Sequence, residues 1–296
     1  AAEKRRRRKK GELADPPKRL FINQAVCEGC GDCTVQSNCV AVVPHETPLG
    51  RKRQIDQTHC NKDYSCAQGF CPSFVGVTGA SLRRKAGALQ REKDAVLARA
   101  AALPQPPGHD WDNAPYDLLV TGVGGTGVVT VGALVAMAAH LEGKGISVLD
   151  FTALAQKGGS VVSHVRLADT PDRLHAVRLL PGTARTLIAA DLVVGVLPDV
   201  LGVIGEGRTR VVVNTHLQTL AEFTRQPDLP YREDALLAKI EAAAGAAQVE
   251  RVDANATAQA LLGDAIGANM LMLGHAWQQG GVPVSLAALM RAIELN

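Results

Sequence analysis

All 7 cysteines of this 296-residue chain fall between positions 27 and 71. Cys27, Cys30 and Cys33 are spaced C-x2-C-x2-C, and Cys39 follows them. After a spacer come Cys60, Cys66 and Cys71, the last followed by Pro72. An odd number of thiols crowded into one stretch does not suit a disulfide scaffold. It favours metal ligation in a reducing compartment, which points to the cytoplasm. Zinc prefers closed tetrahedral sets such as paired C-x2-C. Three cysteines at C-x2-C-x2-C with a remote Cys-Pro point instead to cubane 4Fe-4S clusters. Three thiolates in one glycine-containing loop reach one iron cube, and the fourth ligand arrives from another segment.

The spacing resembles that of bacterial two-cluster ferredoxins, in which the fourth cysteine of each half-motif serves the other cluster. Carried onto this sequence, the first cluster takes Cys27, Cys30, Cys33 and Cys71. The second takes Cys39, Cys60 and Cys66 and is one thiolate short. Asp63 stands in the gap, within CNKDYSC, and is the expected fourth ligand or else marks a labile vertex. The sequence departs from the ferredoxin pattern in the longer Cys33–Cys39 spacing, in Val40 where Pro is expected, and in one extra residue before Cys71. The spacing leaves open whether the second cluster is 4Fe-4S or 3Fe-4S. His45 and His59 are expected at the solvent surface.

These ligands need a small body to hold them. Residues 21–80 read as an α+β ferredoxin-like domain with short strands at Phe21–Asn23 and Val40–Val43. Residues 1–20 form a basic, proline-punctuated linker with 9 Lys/Arg against 3 Asp/Glu, so the remaining chain is mildly acidic. Residues 81–115 read as a second linker, partly helical and then broken by four prolines at 103–115. From 116 to 296 strand and helix alternate, which predicts a Rossmann-like α/β domain with a mostly parallel sheet. The expected strands are DLLVTGV, ISVLDF, SVVSHVRLA, DLVVGV (191–196), RVVVNT and QVERVDA. PDVLGVIGEG, YREDALLAKIEAAAG, one long stretch over 255–279 and SLAALMRAIEL are expected as helices.

Within that domain Gly122, Gly124, Gly125 and Gly127 form GVGGTG between a strand and a helix. Such a turn lets backbone approach a phosphate at the helix N-terminus, and Asp150 ends the next strand where a ribose-binding acid would stand. An NAD- or FAD-binding iron–sulfur oxidoreductase is therefore the alternative reading. The same glycines also serve any tightly packed strand–helix turn. Lys157 and Gly158, in a second glycine-rich loop, are candidates to touch a cofactor, and Asn214-Thr215-His216 either lines a cleft or caps its strand. Walker, H-E-x-x-H and G-x-S-x-G motifs are missing, which leaves hydrolase and NTPase chemistry without support. With 3% aromatic residues, base-stacking nucleic-acid modules are not expected. Leu118 to Ala139 is uncharged and long enough to span a bilayer, yet its 5 glycines read better as a buried strand, turn and helix.

The succession of AVCEGCGDCTVQSNC, GRKRQIDQTHCNKDYSCAQGFCPSF, YDLLVTGVGGTGVVTVGALVAMAAHLEGKG, LAQKGGSVVSHVRLA and LMRAIELN resembles the C-terminal part of fused 2-oxoacid:ferredoxin oxidoreductases of the indolepyruvate ferredoxin oxidoreductase type. The resemblance covers nearly the whole chain. It implies an iron–sulfur segment followed by a γ-type catalytic domain. The family decarboxylates arylpyruvates oxidatively on thiamine diphosphate with Mg2+, forms an acyl-CoA, and passes electrons to ferredoxin. It also implies thiamine-binding domains upstream, CoA as co-substrate, an oligomeric assembly, and neither nucleic-acid nor membrane partners. The absent initiator Met and the linker-like start fit a piece of a longer protein. The catalytic residues of the carbon chemistry are expected outside this stretch.

Overall fold

The computed structural model describes the chain except for residues 1–3, 5–6, 9, 81–93, 101, 112–113, 154–158, 217–220, 227 and 231. The chain divides into two units. The described parts of 1–84, 155–159 and 219–231 make a cysteine unit, and those of 85–154, 160–218 and 232–296 make an α/β unit.

In the cysteine unit the order is β1 (Lys18–Ile22), α1 (Asp32–Ser37), β2 (Val42–Thr47), β3 (Gly50–Ile55) and β4 (Phe74–Thr78). Two antiparallel ladders, β1 with β4 and β2 with β3, build it. The strands expected at 21–23 and 40–43 exist but lie a few residues away, because the ladders set their extent. Each ladder brings distant cysteines together. Ile22 pairs with Phe74, and Asn23 N–H donates to Ser73 O at 2.8 Å, so the Cys27 loop leaves the sheet beside Cys71. Val42 pairs with Ile55, and Asp56 N–H donates to Ala41 O at 2.8 Å, which sets Cys39 beside Cys60. The apolar core is small: Leu20, Val42 and Ile55, with Cys33, Cys39, Cys60, Cys66 and Tyr64 packed around them.

The α/β unit runs β5 (Tyr116–Val123), α2 (Val128–Leu141), β6 (Gly145–Thr152), β7 (Ser160–Ala168), β8 (Thr186–Ala189), α3 (Leu192–Gly195), α4 (Pro198–Leu201), β9 (Arg210–Asn214), α5 (Glu233–Ala244), β10 (Val249–Val252), α6 (Ala254–Leu262), α7 (Ala268–Gln278) and α8 (Leu286–Leu295). Its six-stranded sheet has the order β10-β9-β8-β5-β7-β6. β5, β8, β9 and β10 are mutually parallel, and every residue of β5 is buried. One apolar layer covers each face, the first built on α2, α7 and α8 and the second on α3 and α5.

Three expectations are corrected. The sheet is mixed, because β7 runs antiparallel between β5 and β6. The connection from β6 to β7 is too short for the crossover that a parallel neighbour needs. The strand expected at 191–196 is instead TLIA at 186–189, and DLVVGV begins helix α3. Asp191 accounts for this: its side chain accepts from Val194 N–H at 2.8 Å and caps the helix against strand propensity. The long helix over 255–279 is two helices, split at Gly263, whose φ of 72° ends α6. Among the described residues no helix is long and apolar enough to cross a membrane.

Candidate metal centre and glycine turn

The first cysteine triplet is shaped by its glycines. Gly29 and Gly31 have φ of 81° and 83°, in the left-handed region that costs other residues roughly 1–2 kcal/mol. They curl the loop so that Cys27, Cys30 and Cys33 line one cavity together with Cys71 and Pro72, and Cys66 of the other group reaches the same wall. Its volume is about 320 Å³. Cys27 is buried, Cys30 and Cys71 are exposed, and Cys33 is half-buried; all seven thiols are free. Burial pushes the Cys33 thiol up, and the thiols of Cys30, Cys27 and Cys71 add to that rise.

Cys39, Cys60 and Cys66 form a second group. Burial raises Cys39, with further upward pressure from Asp63 and Cys60. Cys66 is pushed up to about 12 by burial, then by Cys39, Cys60 and Cys33. Negative charge on any one of these sulfurs is therefore resisted by the others, the situation a cationic metal group relieves. The electrostatic neighbours sort the thiols into the two sets read from the spacing, with Cys33 and Cys66 adjoining.

Asp63 is exposed and lies between two non-glycine residues in left-handed conformation, Lys62 (φ 55°) and Tyr64 (φ 61°). Its Oδ1 accepts from Ser65 N–H at 3.2 Å and from Ser65 Oγ–H at 2.9 Å. His59 is half-buried, not solvent-facing as expected; its Nδ1 lies 2.5 Å from Asp56 Oδ2, and Asp56 Oδ1 accepts from Thr58 N–H. Among the described residues no group of three or more His, Cys, Asp or Glu is disposed to hold a single metal ion. That is compatible with a cubane, whose thiolates each bind a different iron and so do not converge on one point. Donor type, free thiols and cavity fit such clusters.

In the α/β unit the glycine turn is explained largely by packing. A Cβ on Gly122 would meet Val128 Cγ2 at 2.6 Å and Ala190 Cβ at 3.0 Å. Gly125 and Gly127 have φ of 90° and 100°, and Gly124 lies between them and the strand. Asn269 Nδ2 donates to Thr126 O at 2.9 Å and pins the turn to α7. Beside it, Asp191 is wholly buried, and desolvation raises its carboxyl to about 6. Asp150 is exposed on β6 opposite Ser163, so β7 separates it from β5 and from the turn. Asn214 caps rather than lines a cleft: it is 2% exposed, donates to Ala190 O and accepts from His216 N–H and Ala254 N–H. Lys157 and Gly158 lie outside the described residues.

Residues 117–296 match the pyruvate ferredoxin/flavodoxin oxidoreductase family. The chain belongs to that family. Among curated proteins it is similar to the indolepyruvate oxidoreductase subunit IorB of Methanothermobacter thermautotrophicus, 26% identical over 185 residues, which are 61% of this chain and 87% of IorB. Among solved structures it is similar to the pyruvate oxidoreductase subunit PORC of Thermotoga maritima (18% identity, TM-score 0.44, 62% of this chain and 85% of PORC). It is also similar to the keto/oxoacid ferredoxin oxidoreductase γ subunit of Geobacter sulfurreducens (22% identity, TM-score 0.41, 61% and 86%). The pyruvate ferredoxin/flavodoxin oxidoreductase match begins at the second residue of β5, so all seven cysteines precede it while the 219–231 part of the cysteine unit lies within it. The resemblance read from the sequence holds at the level of this family, and the chain is part of a 2-oxoacid:ferredoxin oxidoreductase.

Sequence reasoning missed two features around these sites. In the pyruvate ferredoxin/flavodoxin oxidoreductase domain, a cavity of about 300 Å³ is lined by Phe151, His164, Arg178 and Asp199. His164 is held neutral-leaning by burial and by Arg178, and its Nδ1 accepts from Leu179 N–H. In the cysteine unit, Arg53 lines the cavity that the cysteines share. Neither carries a motif; both arise from chain segments distant in sequence.

Proposed function

We propose that this chain is the electron-transferring arm and γ-type domain of a thiamine diphosphate-dependent 2-oxoacid:ferredoxin oxidoreductase acting on indolepyruvate or a related arylpyruvate. Cys27, Cys30, Cys33 and Cys71 would hold one 4Fe-4S cluster, and Cys39, Cys60 and Cys66 with Asp63 the second. Such clusters supply one-electron transfer at potentials tuned by charge and hydrogen bonds. The observation that carries the reading is the convergence of the free thiols of Cys27, Cys30, Cys33 and Cys71, with Cys66 beside them, on one cavity in a chain of this family. The protein's own work is to exclude disulfide pairing, fix the loops through Gly29 and Gly31, and bury the second thiol set around Leu20, Val42 and Ile55.

Thiamine diphosphate, Mg2+ and the carbon chemistry belong, on this reading, to upstream domains. CoA is the acyl acceptor, ferredoxin the electron acceptor, and the cytoplasm the setting. The indolepyruvate assignment draws support from the similarity to IorB. The NAD or FAD alternative loses its ribose-binding acid, because Asp150 does not adjoin the glycine turn, and the turn's glycines are accounted for largely by packing.

Anaerobic purification of the chain with iron and acid-labile sulfide analysis, followed by EPR after dithionite reduction, tests the proposal. Two interacting reduced cubanes are expected. Zinc without acid-labile sulfide would refute it. Reconstitution with the thiamine-binding domains should then reduce ferredoxin in the presence of indolepyruvate and CoA.

A further inference from the structure

We infer that Arg53, held in place by the segment around Phe223, raises the reduction potential of the group bound by Cys27, Cys30, Cys33 and Cys71. The inference rests on the iron–sulfur reading above and names a residue that sets how that site works. Arg53 stands on β3, opposite Pro44, in the run GRKRQI, whose other cations, Arg51 and Lys52, stay partly exposed. Arg53 is 1% exposed and contributes to the wall of the cavity that Cys27, Cys30, Cys33 and Cys71 line together with Cys66.

What buries it comes from far along the chain. Phe223 is itself 1% exposed, and its ring lies 5.4 Å from the Arg53 guanidinium carbon, within the range of a cation–π contact. Asp228 Oδ1 is 3.7 Å from Arg53 Nη2, yet that carboxylate is 89% exposed, so water screens it. Two further bonds hold the segment in the cysteine unit: Arg51 Nη1–H donates to Leu229 O at 3.1 Å, and Thr224 Oγ1–H donates to Asn38 Oδ1 at 2.6 Å. Thr224 is 3% exposed. These residues sit between β9 and α5 in sequence, yet they fold with the cysteine unit.

A cluster held by four thiolates places negative charge at the cavity that this buried guanidinium lines. Reduction adds one electron, [4Fe-4S]2+ + e− → [4Fe-4S]+, and so makes the site more negative. A fixed positive charge in a low-dielectric wall stabilises the reduced form more than the oxidised one. Arginine suits this role because its charge does not titrate in the physiological range. Arg53 acts through this field as a positioning and tuning residue and makes no bond to the iron.

The test is an EPR-monitored redox titration of the anaerobic protein with dithionite as the reductant. In Arg53→Gln one of the two cluster midpoints should move to a more negative potential, with iron and sulfide content unchanged and the other midpoint in place. Arg53→Lys, which keeps the charge, should hold that midpoint close to its wild-type value. Should Arg53→Gln fail to accumulate, Phe223→Leu carries the test. Letting water reach the guanidinium should move the same midpoint in the same direction by less. Wild-type midpoints in whichever of these two variants is obtained would overturn the inference. Absence of iron and sulfide from the wild-type protein would overturn the iron–sulfur reading itself, and this inference with it.

Discussion

Gly29 lies so close to Arg51 that a Cβ built on it would stand 2.1 Å from the Arg51 carbonyl oxygen. The contact fixes the first cysteine loop against β3, and the left-handed φ of Gly29 makes the approach possible.

Gly29→Ala should therefore break the first metal site. Left-handed strain of roughly 1–2 kcal/mol adds to a clash that only movement of the loop or of β3 can relieve. Iron and sulfide analysis should show one cluster lost and the other retained. Full metal content with unchanged EPR would mean that the loop does not need this glycine.

At the second site, the carboxylate of Asp63 is harder than a thiolate and should let its iron go first. One-electron oxidation with ferricyanide should convert the wild-type cluster by [4Fe-4S]2+ → [3Fe-4S]+ + Fe2+ + e−, read as a new EPR signal. Asp63→Cys should suppress the conversion several-fold, and Asp63→Ala should leave a 3Fe form from the outset. Spectra of Asp63→Ala identical to the wild type would remove Asp63 from the site.

Asp191 gives the α/β unit a pH dependence whose sign is fixed. Desolvation raises its folded-state carboxyl from 3.8 to about 6. Between those values the native state holds a proton that the unfolded chain has released, so stability falls as pH rises from about 4 to about 6. The change is on the order of 3 kcal/mol, from the pKa shift at 1.36 kcal/mol per unit. Thermal unfolding across pH 4 to 7 should show this slope, and Asp191→Asn should flatten it. Asparagine keeps an oxygen for Val194 N–H but is expected to be less stable near pH 4, where the protonated wild type is best satisfied. An unchanged slope in Asp191→Asn would assign the dependence to other groups.

Gly122→Ala tests whether the glycine turn is built for packing. The new Cβ would meet Val128 and Ala190 inside the layer between β5 and α2, and overpacking of that kind costs about 1–3 kcal/mol. Melting of the α/β unit should drop by several degrees while the EPR of the cysteine unit stays as in the wild type. An unchanged melting temperature would mean the turn has room for a side chain.

Much of the α/β unit was legible because buried parallel strands announce themselves as apolar runs bounded by glycine or polar residues: DLLVTGV, ISVLDF and RVVVNT form strands close to where the pattern puts them. DLVVGV has the same appearance and is a helix, because one Asp191 side chain caps it and the preceding TLIA fills the sheet. Propensity alone does not weigh one cap against four apolar residues. At the cysteine site, residue types and spacings were readable, while Arg53 was not. In GRKRQI it looks like any cation of an exposed hairpin, and its burial depends on Phe223 and Thr224, far along the chain.

By itself the sequence determined the chemistry available: soft thiolates at ligand spacing, a carboxylate in the gap, glycines where the loops must turn left-handed, and a family-defining α/β stretch. These are local properties, written in residue type and short spacing. The tertiary structure decided what long-range pairing controls. It brought Cys71 to the first triplet through the β1–β4 ladder and Cys39 to Cys60 through the β2–β3 hairpin. It placed β7 antiparallel between β5 and β6, which moved Asp150 away from the glycine turn. It also buried one arginine of a charged hairpin beside the thiols, because a segment from between β9 and α5 folds onto it. Burial and pairing depend on which distant segments meet, and only the folded chain fixes that.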